Sequence, residues 1–224
     1  MAIAIVNQST QQGALTSAGS TITIASTTVG NALAVIVQNG GNRTVSSITG
    51  LAASYTQLHQ EGPLSSTWYN SIYAGIVTSS GTSITVTMNA NTGDAEDRVT
   101  VLELSGVLDP VAESGTSTGS INTAANTHAA ASVTPDTAEV IFLAALRLSG
   151  SSGGYSNLTA GFTHTSAFAA GVHRVDYKIQ STTDASGYSV DTGTARNSAV
   201  ALAGLRGVVS GGSATRLGLL LGVG

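Results

Sequence analysis

Apolar residues in this chain come in short runs, and most of the runs alternate with polar residues. In 21–24, Ile22 and Ile24 share one face of an extended segment. Ile84, Val86 and Met88 alternate with Ser and Thr and predict a half-buried strand. Across 98–104, Val99 and Val101 point to one side. Across 67–77, Trp68, Asn70, Ile72 and Ala74 share one face while Tyr69 and Tyr73 take the other. Two runs, 32–37 and 140–146, are apolar throughout and have the length of buried strands. The first closes on Asn39-Gly40-Gly41, which suits the positive φ of a tight turn. Further strands are expected over 45–48, 54–58, 172–179 and 199–209. Asp109-Pro110 is expected to end the 98–104 strand, because proline brings no ladder donor. Helix propensity gathers only at 199–205, where Gly204 and Gly207 weaken it.

Roughly ten or more strands at spacings of about 10–15 residues predict a sandwich or barrel rather than βαβ units. The expected fold is an all-β, antiparallel, jelly-roll-like sandwich with extended terminal arms. Residues 20–209 form a single domain in this reading, 1–19 an arm or first strand, and 210–224 a Gly/Ser linker with an apolar tail. The stretch 112–132, nearly all Ala, Ser, Thr, Gly and Asn, reads as solvent-facing edge strand or as an inter-lobe linker.

Composition narrows the function. The chain has 224 residues, 9% of them charged against about 25% in an ordinary soluble domain, and carries a net charge of −4. Lys178 is the single lysine, so clustered cations for nucleic acid or an anionic membrane surface are missing. A 42% apolar content and a mean hydropathy of +0.24 exclude disorder. With no cysteine, disulfides, thiolate catalysis and Cys-based zinc sites fall together. The start of the chain lacks the basic region of a signal peptide, and no apolar run approaches the ~18 residues of a membrane span.

Candidate chemistry is sparse. Gly115-Thr-Ser-Thr-Gly119 has the letters of a nucleophile elbow, but its flanks are polar and no helix follows Ser117. His59, His128, His164 and His173 show no metal-ligand spacing, and His59 with Glu61 is expected in a solvated loop. Asn91-Thr-Gly-Asp94-Ala-Glu96-Asp97 offers hard oxygen donors for calcium, or else gatekeeper charges before an apolar strand. Trp68, Tyr69 and Tyr73 could stack on a sugar, although a lone tryptophan in a sandwich is more often core. No catalytic residue, cofactor or metal is expected.

Three segments carry a resemblance. Gly30-Asn31 followed by apolar 32–37, then Glu103-Leu104-Ser105-Gly106-Val107 before Asp109-Pro110, then the small and aliphatic 199–209 segment, resemble a recurrent β-sandwich domain of tailed-phage virion proteins. Leu104 stands where that family usually has an aromatic. The resemblance covers about residues 20–209 and implies a structural or decorating module, a capsid cement or head-fibre type, located in virions assembled in a bacterial host. Its implied partners are other copies of itself and a capsid or tail structural protein, without nucleic acid or membrane. A carbohydrate-binding or adhesin-like module with weak sugar binding is the alternative. Leu217, Leu219, Leu220, Leu221 and Val223 are the expected partner-contact residues, since an exposed aliphatic tail invites association. The alternative is that this tail folds back on its own sandwich.

Far-ultraviolet circular dichroism should give a β-type spectrum with under about 10% helix. A dominant helical spectrum would overturn the all-β assignment.

Overall fold

The computed structural model describes residues 2–64, 67–165 and 172–208, and over 109–116 the backbone alone. Five strands form one sheet: β1 (Ala4–Gln12), β3 (Ala32–Asn39), β5 (Thr56–Leu64), β6 (Trp68–Ile76) and β8 (Arg98–Ser105), in the order β1-β8-β3-β6-β5. A small sheet holds β2 (Ser20–Thr23), β4 (Val45–Thr49) and β7 (Ser83–Met88). The third sheet has β9 (Val107–Val133), β10 (Val140–Leu148), β11 (Tyr155–Ser156), β12 (Thr163–His164), β13 (His173–Gln180) and β14 (Ser186–Gly207). Its order is β11-β14-β10-β13-β12, with β9 along β14. All strand pairs are antiparallel, and the sheets pack face to face as a β-sandwich.

The five-stranded sheet lies in the middle. Ala32, Ala34 and Ile36 of β3 face Ile141, Leu143 and Ala145 of β10 in one core. The intervening Leu33, Val35 and Val37 face Ile22, Ile84 and Val86 of the small sheet in a second. Strand β8 divides likewise, Leu102 and Leu104 toward the first core and Val99 and Val101 toward the second. A third core covers the outer face of β10, with Phe142, Leu146, Phe162, Tyr188 and Leu202. Continuous apolar runs thus mark strands buried on two faces, and alternating runs mark the one-sided small sheet.

Strand occupies 64% of the described residues. The largest share comes from β9 and β14, of 27 and 22 residues, which pair from Val107↔Gly207 to Val133↔Ser186. The Ser/Thr/Ala-rich 112–132 stretch is therefore strand, and 199–205 is strand rather than helix. The expected break at Asp109-Pro110 is also corrected. The chain turns at Gly106 (φ 73°), and Pro110 sits inside β9, where register shifts opposite Leu205 and Gly207 leave it outside the regular ladder.

The β9–β14 ribbon doubles back on itself. Tyr188 and Val190 from one half of β14 share a core with Val200 and Leu202 from the other half, which requires a crease between them. Register shifts fall there, between Asp191 and Ser198. Fully buried His128 clamps the crease, its ring nitrogens 2.8 Å from Ser198 Oγ and 3.0 Å from Thr192 Oγ1. Asn197 Oδ1 accepts from Ala124 N at 2.7 Å and holds the other strand.

A buried carboxylate ties the loops at one end. Glu103, with no exposed surface, accepts from Thr28 N (2.8 Å), Asn31 Nδ2 (2.6 Å) and Asn7 Nδ2. Gly30-Asn31 and Glu103-Leu104-Ser105-Gly106, far apart in sequence, therefore meet in space. Glu103→Ala should strand the Thr28 N–H and two amides without an acceptor and lower stability by about 3 kcal/mol or more. Glu103→Gln, which keeps one acceptor oxygen, should lose less; urea unfolding of both variants measures the difference.

Candidate functional site

The two large sheets do not close on each other at every edge. Between β1 and the β12–β13 pair a cleft of about 470 Å³ remains, lined by Ile5, Val6, Asn7 and Gln8 on one wall and His164, Thr165 and Tyr177 on the other. Strand β1 ends the five-stranded sheet, so its outer edge has no ladder partner among the described strands. Strand β12, at the facing edge, is only two residues long. Toward Thr10 the cleft narrows onto Arg98, Thr100, Thr165, His173 and Arg174.

Asp176 organises the β13 wall. Fully buried, it accepts from Arg174 Nε (2.6 Å) and Tyr188 Oη (2.6 Å), and its second oxygen lies 3.1 Å from His164 Nδ1. Burial and the adjacent Asp176 push the Tyr188 hydroxyl well above its ordinary pKa, so it serves as a donor throughout the accessible range. A histidine held through Nδ1 by a carboxylate is an arrangement that base catalysis uses. Here the neighbouring hydroxyl, Thr165 Oγ1, donates instead to Val175 O at 2.9 Å.

Behind this wall a polar seam crosses between the sheets. Arg147, 2% exposed at the end of β10, donates to Asp94 Oδ2 (3.0 Å) and to His173 Nε2, and its guanidinium lies 5.4 Å from the Trp68 ring centroid. Asn70 Nδ2 donates to Ala199 O (2.6 Å), and Gln38 Nε2 to Leu146 O (2.8 Å). These bonds fasten β6 and β3 to the six-stranded sheet. Burial, reinforced by Arg147 and Arg98, holds His173 down at about pKa 2, so the imidazole is neutral and Nε2 is an acceptor.

The residues singled out from the sequence scatter. Asp94 binds Arg147, Asp97 accepts from Gly40 N (2.7 Å) and Leu15 N (3.4 Å), and Glu96 is exposed, so the three carboxylates serve different partners. No cluster of three or more metal-ligating side chains occurs among the described residues. Burial raises the Asp97 pKa against the lowering effect of its hydrogen bonds. His59 and Glu61 are not in a solvated loop. They lie on β5, 3.5 Å apart, and meet the backbone of β9 at Gly119, where a Cβ would collide with both. Ser117 is exposed on β9 opposite Ala203, while His128 is engaged with Ser198 and Thr192 at the crease.

Trp68 is half-buried, Tyr73 belongs to the second core, and Tyr69 donates to Asn42 Oδ1 (3.1 Å). Leu217, Leu219, Leu220, Leu221 and Val223 lie outside the described residues. Reasoning on sequence missed Arg98, Arg147, Arg174 and Asp176. The available signal was that a chain with eight cations places three of them within or at the ends of apolar strands. Compared with protein-family models, curated proteins and solved structures, the chain matches none of them.

The depressed pKa of His173 fixes a pH dependence. The unfolded chain takes up a proton below about pH 6.5, whereas the folded protein does not until about pH 2. The stabilisation is complete above about pH 6.5 and falls by about 1.4 kcal/mol per pH unit below it. Urea unfolding at pH 7, 6 and 5 should show wild type losing stability relative to His173→Asn, and parallel curves would refute the assignment.

Proposed function

We propose that this chain is a structural module of a virion, a decoration or head-fibre type β-sandwich that self-associates and docks on the particle. One observation carries the association: among the described residues the outer edge of β1 has neither a strand partner nor a blunting charge or proline. Natural edge strands are blunted by charge, proline, bulges or brevity. Strand β5 has such devices, with His59, Glu61, Pro63 and two register shifts. Strand β12 is short. Strand β1, Ala-Ile-Val-Asn-Gln-Ser-Thr-Gln-Gln, has no charge and no proline over nine residues, only one register shift near its start, and exposes Val6 beside an open cleft. A surface with few charges also offers little repulsion to close packing.

The occupant in this reading is the apolar tail of a second copy, added to β1 as a strand. Strand β14 ends at Gly207 against Ile3, and Val208 N donates to Gly106 O at 2.8 Å, so the chain leaves the sandwich beside the start of β1. Residues 209–216 span at most about 28 Å from there when extended. That length compares with β1 itself and lets a neighbouring copy receive residues 217–223. Burying four or five aliphatic side chains contributes about 1.5–3 kcal/mol each, against ordering costs of about 1–2 kcal/mol per residue. The tail therefore acts together with contacts from the sandwich surface rather than alone. The sugar-binding alternative has less support, since Arg147 lies over the Trp68 ring and Tyr73 is core.

Deleting residues 217–224 should leave the β spectrum and the unfolding midpoint unchanged while weakening self-association about tenfold or more by sedimentation. Val6→Lys should have the same effect by placing charge on the edge. A wild-type chain that stays monomeric at high concentration, or a deletion that assembles normally, would overturn the proposal.

A further inference from the structure

The narrow floor of the β1–β13 cleft has a composition that neither the packing nor the proposed association uses. Its side chains are Thr10, Arg98, Thr100, Thr165, His173 and Arg174, with Gln38 and Val175 completing it, and no acidic residue is among the described ones that line it. Apart from Thr165, which follows β12, and Gln38 on β3, these groups come from three strands, β1, β8 and β13, that the sandwich brings together. A site built from two guanidiniums, an imidazole and hydroxyls favours negative charge.

Several of the donors have partners that can be named. His173 is 2% exposed, and its Nε2 accepts from Arg147. In neutral imidazole the proton then sits on Nδ1, and that buried nitrogen has no hydrogen-bond partner among the described residues. A buried N–H without an acceptor costs free energy that a guest could recover. Thr10 Oγ1 and Thr100 Oγ1 lie 3.0 Å apart. One hydroxyl donates to the other, which leaves one hydroxyl proton of the pair to point elsewhere. Arg98, 4% exposed, donates through Nη2 to the neutral amide oxygen of Gln12 at 3.0 Å. Arg174 Nε is bound to Asp176, and Arg147 is bound to Asp94. Exposed Glu96 and the hydrogen-bonded Asp97 act on these cations from outside the lining.

The space sets the size of the guest. About 10 Å³ is free at the centre of this floor, which suits a single monatomic ion or one water. We propose that the floor of the cleft binds one small monovalent anion of halide size, held by His173 Nδ1–H, the Arg98 guanidinium and the Thr10–Thr100 hydroxyl pair. The bound ion gives the His173 N–H an acceptor and stitches β1 to β13 at the point where the two sheets separate.

Bromide, which replaces chloride at such sites and scatters X-rays anomalously, is the ion to use. Crystals of the full chain grown in bromide should show one anomalous peak within hydrogen-bond distance of His173 Nδ1. In solution, replacing gluconate by bromide at constant ionic strength and pH 7.5 should raise the melting temperature saturably over roughly 1–100 mM. Arg98→Met should weaken that response about tenfold or more. Thr100→Val, a near-isosteric change that tests the site without removing a charge, should weaken it as well. Bromide-81 NMR line broadening on wild type, reversed by excess chloride, gives a reading that does not depend on how any variant folds. A water at the position instead of bromide would overturn the proposal. So would a stabilisation that fails to saturate or is equal in both variants, or a peak seen only at crystal concentrations with no solution response.

Discussion

A sheet without a wet face governs this molecule. Strand β3 is buried along its whole length, and its neighbour β8 is buried at all but its last residue. Their side chains alternate between two cores, so the sheet must be covered on both sides. The small sheet covers one face and the six-stranded sheet the other. The six-stranded sheet then has an outer apolar face of its own, and the folded-back β9–β14 ribbon with the 155–165 segment closes it. Each layer is required by the one before it, and the sequence of requirements ends only where a strand becomes polar on its outer side.

That layering explains where the few charges go. In a chain with 9% charged residues, several are buried in the places where layers must be held in register. Glu103 ties the loops at one end, Asp97 holds the Gly40 and Leu15 N–H groups, Arg147 joins Asp94 to His173, and Asp176 gathers Arg174, Tyr188 and His164. A buried pair of this kind adds little net stability over an apolar one, yet breaking it is costly. Such groups specify which strand meets which, where apolar packing alone would tolerate a shift.

Strand β1 itself carries no charged residue, and among the described strands its outer edge has no partner. The cleft beside β1 follows from geometry. The two sheets part at one edge, and residues from both walls line the gap.

Much of the architecture was legible from residue order alone. The period-two runs at 21–24 and 84–88 identified one-sided strands, the unbroken runs at 32–37 and 140–146 identified two-sided ones, and the absence of helical periodicity settled the class. These follow from local geometry, since successive side chains of a strand point to opposite faces. The site was not legible. Nothing local distinguishes His173 beside Arg147 from any other histidine, and the length of the β9–β14 ribbon, the crease at His128 and the meeting of Asn31 with Glu103 depend on partners 53 to 100 residues away. Sequence pattern determined which residues are strand and which faces are apolar, because those depend on neighbours in the chain. Only the tertiary structure decided which faces meet, which charges are buried and which edge stays open, because those depend on neighbours in space.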